Sequence, residues 1–240
     1  RAVDVTIWTA PDERAVVVFS HGHGGRPAAY RRSISAWTAA GFTVVAPLHV
    51  DSMAHPRRDD FDLQRGFIAR IEDLALARAF IKARHPGKPL IAAGHSFGSL
   101  MSLIEAGALT PAGPRGDPDI RAVVAISSAG DIPGVIREQT YAGVTTPLLQ
   151  VTGDADLVDG WVTDWRAHRS AFDRSPPGDK LLAVFEGGSH TMVGDADAAD
   201  FAFLARLTTT FMQAYGLGDA AARARLDTLE PPRGVSLERR

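Results

Sequence analysis

Short, unbroken runs of apolar and mostly β-branched residues recur along this 240-residue chain, and they constrain its fold more than any other feature. They are "AVVVFS" (15–20), "FTVVAPL" (42–48), "PLIAAG" (89–94), "AVVAIS" (122–127), "PLLQVTG" (147–153) and "LLAVFE" (181–186). A strand with one wet face alternates apolar and polar residues, so a run without alternation is a strand covered on both faces. Only "VDVTIW" (3–8) alternates, which predicts an antiparallel strand at a sheet edge. Helical spacing occupies 28–41, the stretch from Leu63 to Arg84, 97–109 and 197–215. In the long stretch Phe67, Ile68, Ile71, Leu74, Ala75 and Leu76 are expected on one buried face; in the last, Phe201, Leu204 and Leu207 have core-like spacing. This alternation predicts an α/β fold, a mostly parallel twisted sheet of about seven or eight strands with helices on both faces.

No repeat or linker divides the pattern, so one domain is expected over 1–216, with 217–240 a polar tail. The tail ("LEPPRGVSLERR") is charged and proline-containing and is expected to pack loosely. "LTPAGPRGDPD" (109–119) reads as a surface loop. A net charge of −2 with no basic stripe argues against nucleic acid as a partner. No apolar stretch has the length of a membrane span. The chain has no cysteine, which excludes disulfides, thiolate metal sites and a cysteine nucleophile. It begins at Arg1, so a cytoplasmic protein and one exported after loss of a leader are both expectations, as a monomer or small homo-oligomer.

The chemistry is concentrated in "GHSFG" (94–98), a G-x-S-x-G motif that follows the strand "PLIAA" and opens the helix "FGSLMSLIEAG". In this setting the serine sits on a sharp strained turn, flanked by glycines that leave room for close backbone packing. Ser96 is then lifted above the sheet at a helix N-terminus, where developing negative charge is favoured. A serine hydroxyl needs a base to take its proton and an acid to orient that base. His190, in "FEGGSHTMVG" just past the strand 181–186, is the expected base. The acid should follow another strand, and "LLQVTGDADLVDG" offers Asp154, Asp156 and Asp159. Asp156 is favoured because it has cleared the turn. His168 and His85 read as ordinary surface residues.

An attacking serine creates an oxyanion that needs pre-aimed N–H donors. The Phe97 amide is one, and "HGHGG" after "AVVVFS" offers the other through the main chain of His23, with Gly24 beside it for substrate. The competing reading makes His21 and His23 metal ligands. It would need His49, Asp51 or His55 to complete a site, and no H-E-x-x-H or dinuclear H-x-H-x-D-H pattern is present. No metal and no cofactor are expected.

With these residues in place, the chain resembles the α/β-hydrolase superfamily over most of its length, and within it dienelactone-hydrolase-like and platelet-activating-factor-acetylhydrolase-like serine esterases. "FSHGHGG", "FTVVAPLH", "RIEDLALARAFI", "AGHSFGS", "VTGDADLV" and "EGGSH" carry the resemblance. It implies Ser96 as nucleophile, His190 as base, Asp156 as acid and the His23 and Phe97 amides as oxyanion hole. Two departures stand out: dienelactone hydrolases use a cysteine that is absent here, and the proline that often follows the acid is missing from "DADLVDG". Arg70 and Asp73 match a helix pattern of the subgroup and read as a structural ion pair.

The stretch between Ser128 and Pro147 is too short for a cap domain, so an open site is expected, with Phe97, Trp161 and Trp165 as lining. The function expected is hydrolysis of short to medium acyl esters, or of a bulky ester reached across an open surface, through an acyl-enzyme. Polyester, thioester or amide hydrolysis by the same residues and a non-catalytic binding protein of this fold are the alternatives.

Overall fold

The computed structural model describes residues 1–111, 113–132 and 134–240. The strands are β1 (Val5–Trp8), β2 (Ala15–Ser20), β3 (Phe42–Pro47), β4 (Leu90–His95), β5 (Leu109–Thr110), β6 (Gly113–Pro114), β7 (Ile120–Ile126), β8 (Leu148–Ala155), β9 (Lys180–Ser189) and β10 (Val235–Arg239). The helices are α1 (Arg31–Ala39), α2 (Leu63–Arg84), α3 (Phe97–Glu105), α4 (Ser170–Arg174), α5 (Met192–Asp195), α6 (Ala198–Phe211) and α7 (Ala220–Asp227). Eight strands form one sheet in the order β1-β3-β2-β4-β7-β8-β9-β10. The edge strands β1 and β10 run antiparallel to their neighbours and all other pairs are parallel. β5 and β6 pair as a small ribbon in the loop expected at 109–119, of which Ala112 lies outside the described residues.

The unbroken apolar runs are buried on both sides, with the period of two sorting them. Val17, Phe19, Val44, Ile91 and Val124 meet Ile34 and Trp37 of α1 and Phe203, Leu204 and Leu207 of α6. Their neighbours Val16, Val18, Val45, Ala92 and Val123 meet Leu74, Ala77 and Ile81 of α2 and Leu100, Leu103 and Ile104 of α3.

Two expectations are corrected. The buried face of α2 is not the apolar stripe read from spacing: Gly66, Ala69, Arg70, Asp73, Leu74, Ala77 and Ile81 are buried, whereas Ile68 and Leu76 are each 51% exposed. The first half of α2 lies over the polar loops that follow β2 and β3, where Arg70 and Asp73 find hydrogen-bonding partners; its Phe67 and Ile71 pack part-buried against the core, and Leu74, Ala77 and Ile81 of the second half are buried in it. The stretch after Gly216 is also not loose. It forms α7, whose Ala222 and Leu226 join the core, and β10, which pairs with β9. "VSLER" was missed because an edge strand with charged outward residues has no apolar run to betray it.

β2 is followed in chain order by β3 on one side and is flanked on the other by β4, so the loops leaving their C-terminal ends part above the β2–β4 pair. Crevices at such switch points are where α/β sheets bind ligands. Residues 127–147 between β7 and β8 contain no helix or strand among the described residues, so no large cap covers this end. β4 passes into α3 through the turn at Ser96, whose φ of 55° lies in the left-handed region. Gly94 and Gly98 make that turn sterically feasible. A Cβ on Gly94 would fall 2.2 Å from the Gly98 carbonyl oxygen, and one on Gly98 would fall 2.0 Å from the Ser20 carbonyl oxygen at the end of β2. Gly98→Ala is therefore expected to lower unfolding stability by about 3 kcal/mol or more, since backbone rather than a yielding side chain blocks the methyl. Denaturant unfolding measures it, and a loss under about 1 kcal/mol would show that the close approach is not required.

Candidate active site

The structure brings Ser96, His190 and Asp156 into one hydrogen-bonded line. The Ser96 Oγ lies 2.9 Å from His190 Nε2, and His190 Nδ1 lies 2.7 Å from Asp156 Oδ1. Asp156 stands at the end of β8 and His190 at the end of β9, held side by side by the β8–β9 pairing that extends to Ala155 and Ser189. Asp156 is fully buried, and its Oδ2 accepts from Thr152 Oγ1 at 2.8 Å. Burial alone would raise its pKa, but hydrogen bonds from His168 and His190 outweigh this and hold the carboxyl well below the usual range. The other two aspartates stay outside the line: Asp154 is exposed and accepts from the Gly187 amide, and Asp159 is exposed.

The loop after β2 is built around Arg70. Its fully buried guanidinium grips Asp51 in two hydrogen bonds, Nε to Oδ1 at 2.7 Å and an Nη to Oδ2 at 2.8 Å. It also donates to the carbonyls of His21 (2.7 Å) and Gly22 (3.1 Å). In a trans peptide the N–H points opposite to the C=O. With the Gly22 carbonyl drawn to Arg70, the His23 N–H of the same peptide faces away from it. A turn closed by Gly25 N to Gly22 O at 3.0 Å leaves that amide outside the turn's own hydrogen bond. Gly22 packs directly on the elbow, its added Cβ falling 3.3 Å from the Ser96 Cβ. Asp51 further accepts from the Gly24 amide at 3.2 Å and from His23 Nδ1 at 3.0 Å. Burial opposes its ionisation, but these donors outweigh it and keep its pKa well below the usual range. Arg70 and Asp73 are thus not paired with each other, as the sequence reading had them. Asp73 accepts from His49 Nδ1 at 2.9 Å and is paired with Arg1.

The histidines of this loop do not converge as metal ligands. Burial keeps the His21 ring neutral; its Nδ1 faces the Gly22 carbonyl at 2.7 Å and its Nε2 accepts from the His49 amide at 3.1 Å, so both nitrogens are committed. The ligand-type atoms of Asp156, His168 and His190 lie within 4.8 Å of one another, the one such grouping among the described residues. Asp156 Oδ1, however, is already engaged by both rings.

Several residues of the site escaped sequence reasoning. His95, the variable residue of "GHSFG", is buried and neutral, its pKa pushed down to about 4 by burial and by His190. Its Nε2–H donates to the His190 carbonyl at 2.8 Å, and its Nδ1 lies 2.9 Å from the Tyr30 hydroxyl, which accepts from the Gly22 amide at 2.9 Å. This chain ties the His190 loop to the loop after β2. His168, expected at the surface, is fully buried against Asp156. Spacing could not reveal this, because α4 and the turn before it fold back onto β8.

A second serine, histidine and aspartate form a similar line: Ser20 Oγ to His49 Nε2 at 2.9 Å, and His49 Nδ1 to Asp73 Oδ2 at 2.9 Å. All three are fully buried, Ser20 lies in extended β2, and it does not line the cleft, so this line braces β2, the loop after β3 and α2. Ser96 instead opens into a cleft of about 870 Å³. Leu63, Phe67, Ile68 and Ile71 of α2 line one wall, and Ile132, Val135, Val158, Trp161 and Val162 line another. Phe97 and Trp161 line it as expected, Trp161 at 60% exposure. Trp165 does not; it packs on Phe172, Leu182 and Val184. Gly24, expected at the substrate, is also not in the lining, because Asp51 draws its amide the other way.

The sheet, the strand–elbow–helix turn and its serine define a serine hydrolase of the α/β-hydrolase fold. A family model, Hydrolase_4 (serine aminopeptidase, S33), matches residues 11–137, just over half the chain and including Ser96, the loop after β2 and Arg70. The chain belongs to this family. No curated protein matches it. Among solved structures, the crystal structure of TT1662 from Thermus thermophilus is similar in fold, at a TM-score of 0.63 and 17% identity over 88% of this chain and 92% of that one. No helix among the described residues is long and apolar enough to cross a membrane.

Arg70→Met would leave the Asp51 carboxylate buried without its partner, at an expected cost of about 3–5 kcal/mol near neutral pH. The folded carboxyl ionises more readily than the unfolded one, so the ion pair's contribution is present above about pH 4 and is lost as pH falls through the folded value. The gap in unfolding free energy between wild type and variant should therefore narrow as pH drops below about 4, and a gap unchanged with pH would refute the assignment.

Proposed function

We propose that the protein is a serine carboxylic-ester hydrolase working through an acyl-enzyme, of the dienelactone-hydrolase-like kind. The observation that carries this reading is Ser96, held in a left-handed elbow 2.9 Å from His190 Nε2 and open to an apolar cleft. His190 Nε2 takes the Ser96 proton as Oγ attacks the ester carbonyl, while Asp156 holds Nδ1–H and stabilises the imidazolium that forms. The amides of His23 and Phe97 receive the oxyanion: the first faces away from Arg70 and the second starts α3. The leaving alcohol takes the proton from His190; water then gives a proton to His190 as it attacks the acyl carbonyl, and that proton returns to Ser96 Oγ as the carboxylic acid leaves.

The cleft supports an apolar acyl group of medium length, or one segment of a bulkier ester, since aliphatic and aromatic side chains make up most of its two walls. Peptide hydrolysis, the activity named for the family, is the second reading. Glu72, the one acidic residue among those lining the cleft, is the feature that favours it, as a partner for a substrate ammonium.

Nitrophenyl esters of rising acyl length and aminoacyl nitroanilides, given to wild type, Ser96→Ala and Ser20→Ala, test these readings together. Ester turnover is expected to dominate, with kcat/KM rising by up to about fourfold per added methylene from ~0.8 kcal/mol each. Ser96→Ala should lose roughly 10⁴- to 10⁶-fold in kcat. Ser20→Ala should keep kcat within about threefold, at a stability cost of about 1–3 kcal/mol. Full activity in Ser96→Ala would overturn the mechanism, and faster cleavage of the anilides would move the assignment to a peptidase.

A further inference from the structure

His168 lies on the short helical turn 165–169 ahead of α4 and reaches the same Asp156 oxygen that accepts from His190. Its Nε2 is 2.9 Å from Asp156 Oδ1 and 3.0 Å from the Asp156 carbonyl oxygen, and its Nδ1 contacts the Ser128 carbonyl oxygen. Its ring stacks on that of His190, with centroids 5.8 Å apart and planes 26° from parallel. The residue is fully buried.

A neutral imidazole carries one N–H and one lone pair. At His168 each nitrogen meets only oxygens that have no proton to give: two main-chain carbonyls and a carboxylate oxygen that also accepts from His190. Either neutral tautomer would turn a ring lone pair against an oxygen lone pair where water cannot intervene. Two N–H groups satisfy every contact. We propose that His168 is held as an imidazolium and acts as a positioning residue, fixing the Asp156 carboxylate and setting the pH range in which His190 can serve as base. The proposal rests on the serine mechanism above for its functional half and on the hydrogen-bond pattern alone for the protonation state.

The groups facing His168 are Asp156 from the end of β8, His190 from the end of β9 and His95 from the end of β4; the loop after β7 contributes the Ser128 carbonyl. On its own turn Arg166 is engaged by Asp164, and Arg169 by Asp173 and Glu238. Burial disfavours the charged ring, but the carboxylate and the two carbonyls outweigh it and hold the His168 pKa above the ordinary value. With His190 Nδ1 and His168 Nε2 both on Oδ1 and Thr152 on Oδ2, the carboxylate cannot rotate away from the base. A positive charge on His168 would also stand beside the ring that takes the Ser96 proton.

Imidazole nitrogen spectra of the ¹⁵N-labelled full chain, followed through pH, read the protonation state directly. The expected result is two protonated nitrogens on His168 at about pH 7.5, above the ordinary histidine range. One protonated and one bare nitrogen at that pH would overturn the proposal, whatever Ser96 does. The second measurement is the kcat/KM profile of His168→Gln, which removes the charge but keeps an N–H. Its acid limb is expected to move up by about one pH unit, with kcat down by about tenfold. A limb that stays in place in the folded variant would mean that His168 only fills space. Should the variant not fold, the wild-type spectrum still decides. Activity surviving in Ser96→Ala would remove the serine mechanism without altering that spectrum, so the two readings fail separately.

Discussion

The Arg70–Asp51 pair is the contact on which the working end of this molecule depends. Both residues are buried, and the guanidinium spends its remaining N–H groups on the His21 and Gly22 carbonyls of the loop after β2 and on the Ser20 hydroxyl at the end of β2. A buried charge must be matched in charge and in hydrogen bonds, and here both demands are met by the segments that have to be held in place. One guanidinium thus orients the Gly22–His23 peptide, ties α2 to the end of β2, and anchors the loop after β3 through Asp51. The two histidines and three glycines of "HGHGG" divide the remaining work. His21 braces the loop from beneath, His23 reaches back to Asp51, and the glycines let the backbone lie against the elbow.

Two serine–histidine–aspartate lines with nearly the same distances occur in one fold, and comparing them shows what residue types alone do not confer. The line through Ser20 is sealed, its serine in relaxed extended backbone. The line through Ser96 starts from a strained residue and opens into an apolar cleft, and under the function proposed above the His23 and Phe97 amides receive the charge that develops there. Access, backbone strain and pre-aimed donors separate a site that can do chemistry from a polar brace. His168 adds a cation stacked beside His190 under the proposal made above, so one carboxylate oxygen serves two rings.

Much of this was legible in the sequence. Unbroken apolar runs cannot be strands with a wet face, so a covered parallel sheet followed directly. "GHSFG" between a strand and a helix pointed to Ser96, and the strand ends pointed to His190 and Asp156, because α/β sheets present their loops at one end. Local pattern failed where burial is decided by distant neighbours. Ile68 and Leu76 look like core and are exposed, while Arg70 and Asp73, read as a pair with each other, are buried against Asp51 and His49 instead. Nothing within α2 could reveal that its first half lies over polar loops. "VSLER" became a strand only because β9 offered it an open edge.

The sequence by itself determined the layered α/β architecture and the positions of Ser96, Asp156 and His190, since both follow from short-range periodicity and turn chemistry. Tertiary structure alone decided that Arg70 pairs with Asp51, that His168 shares Asp156 with His190, and that Ser20 is sealed while Ser96 is open. Those outcomes are contacts between segments far apart in the chain, and the cost or gain of burying a charge is set by the partner that arrives from elsewhere.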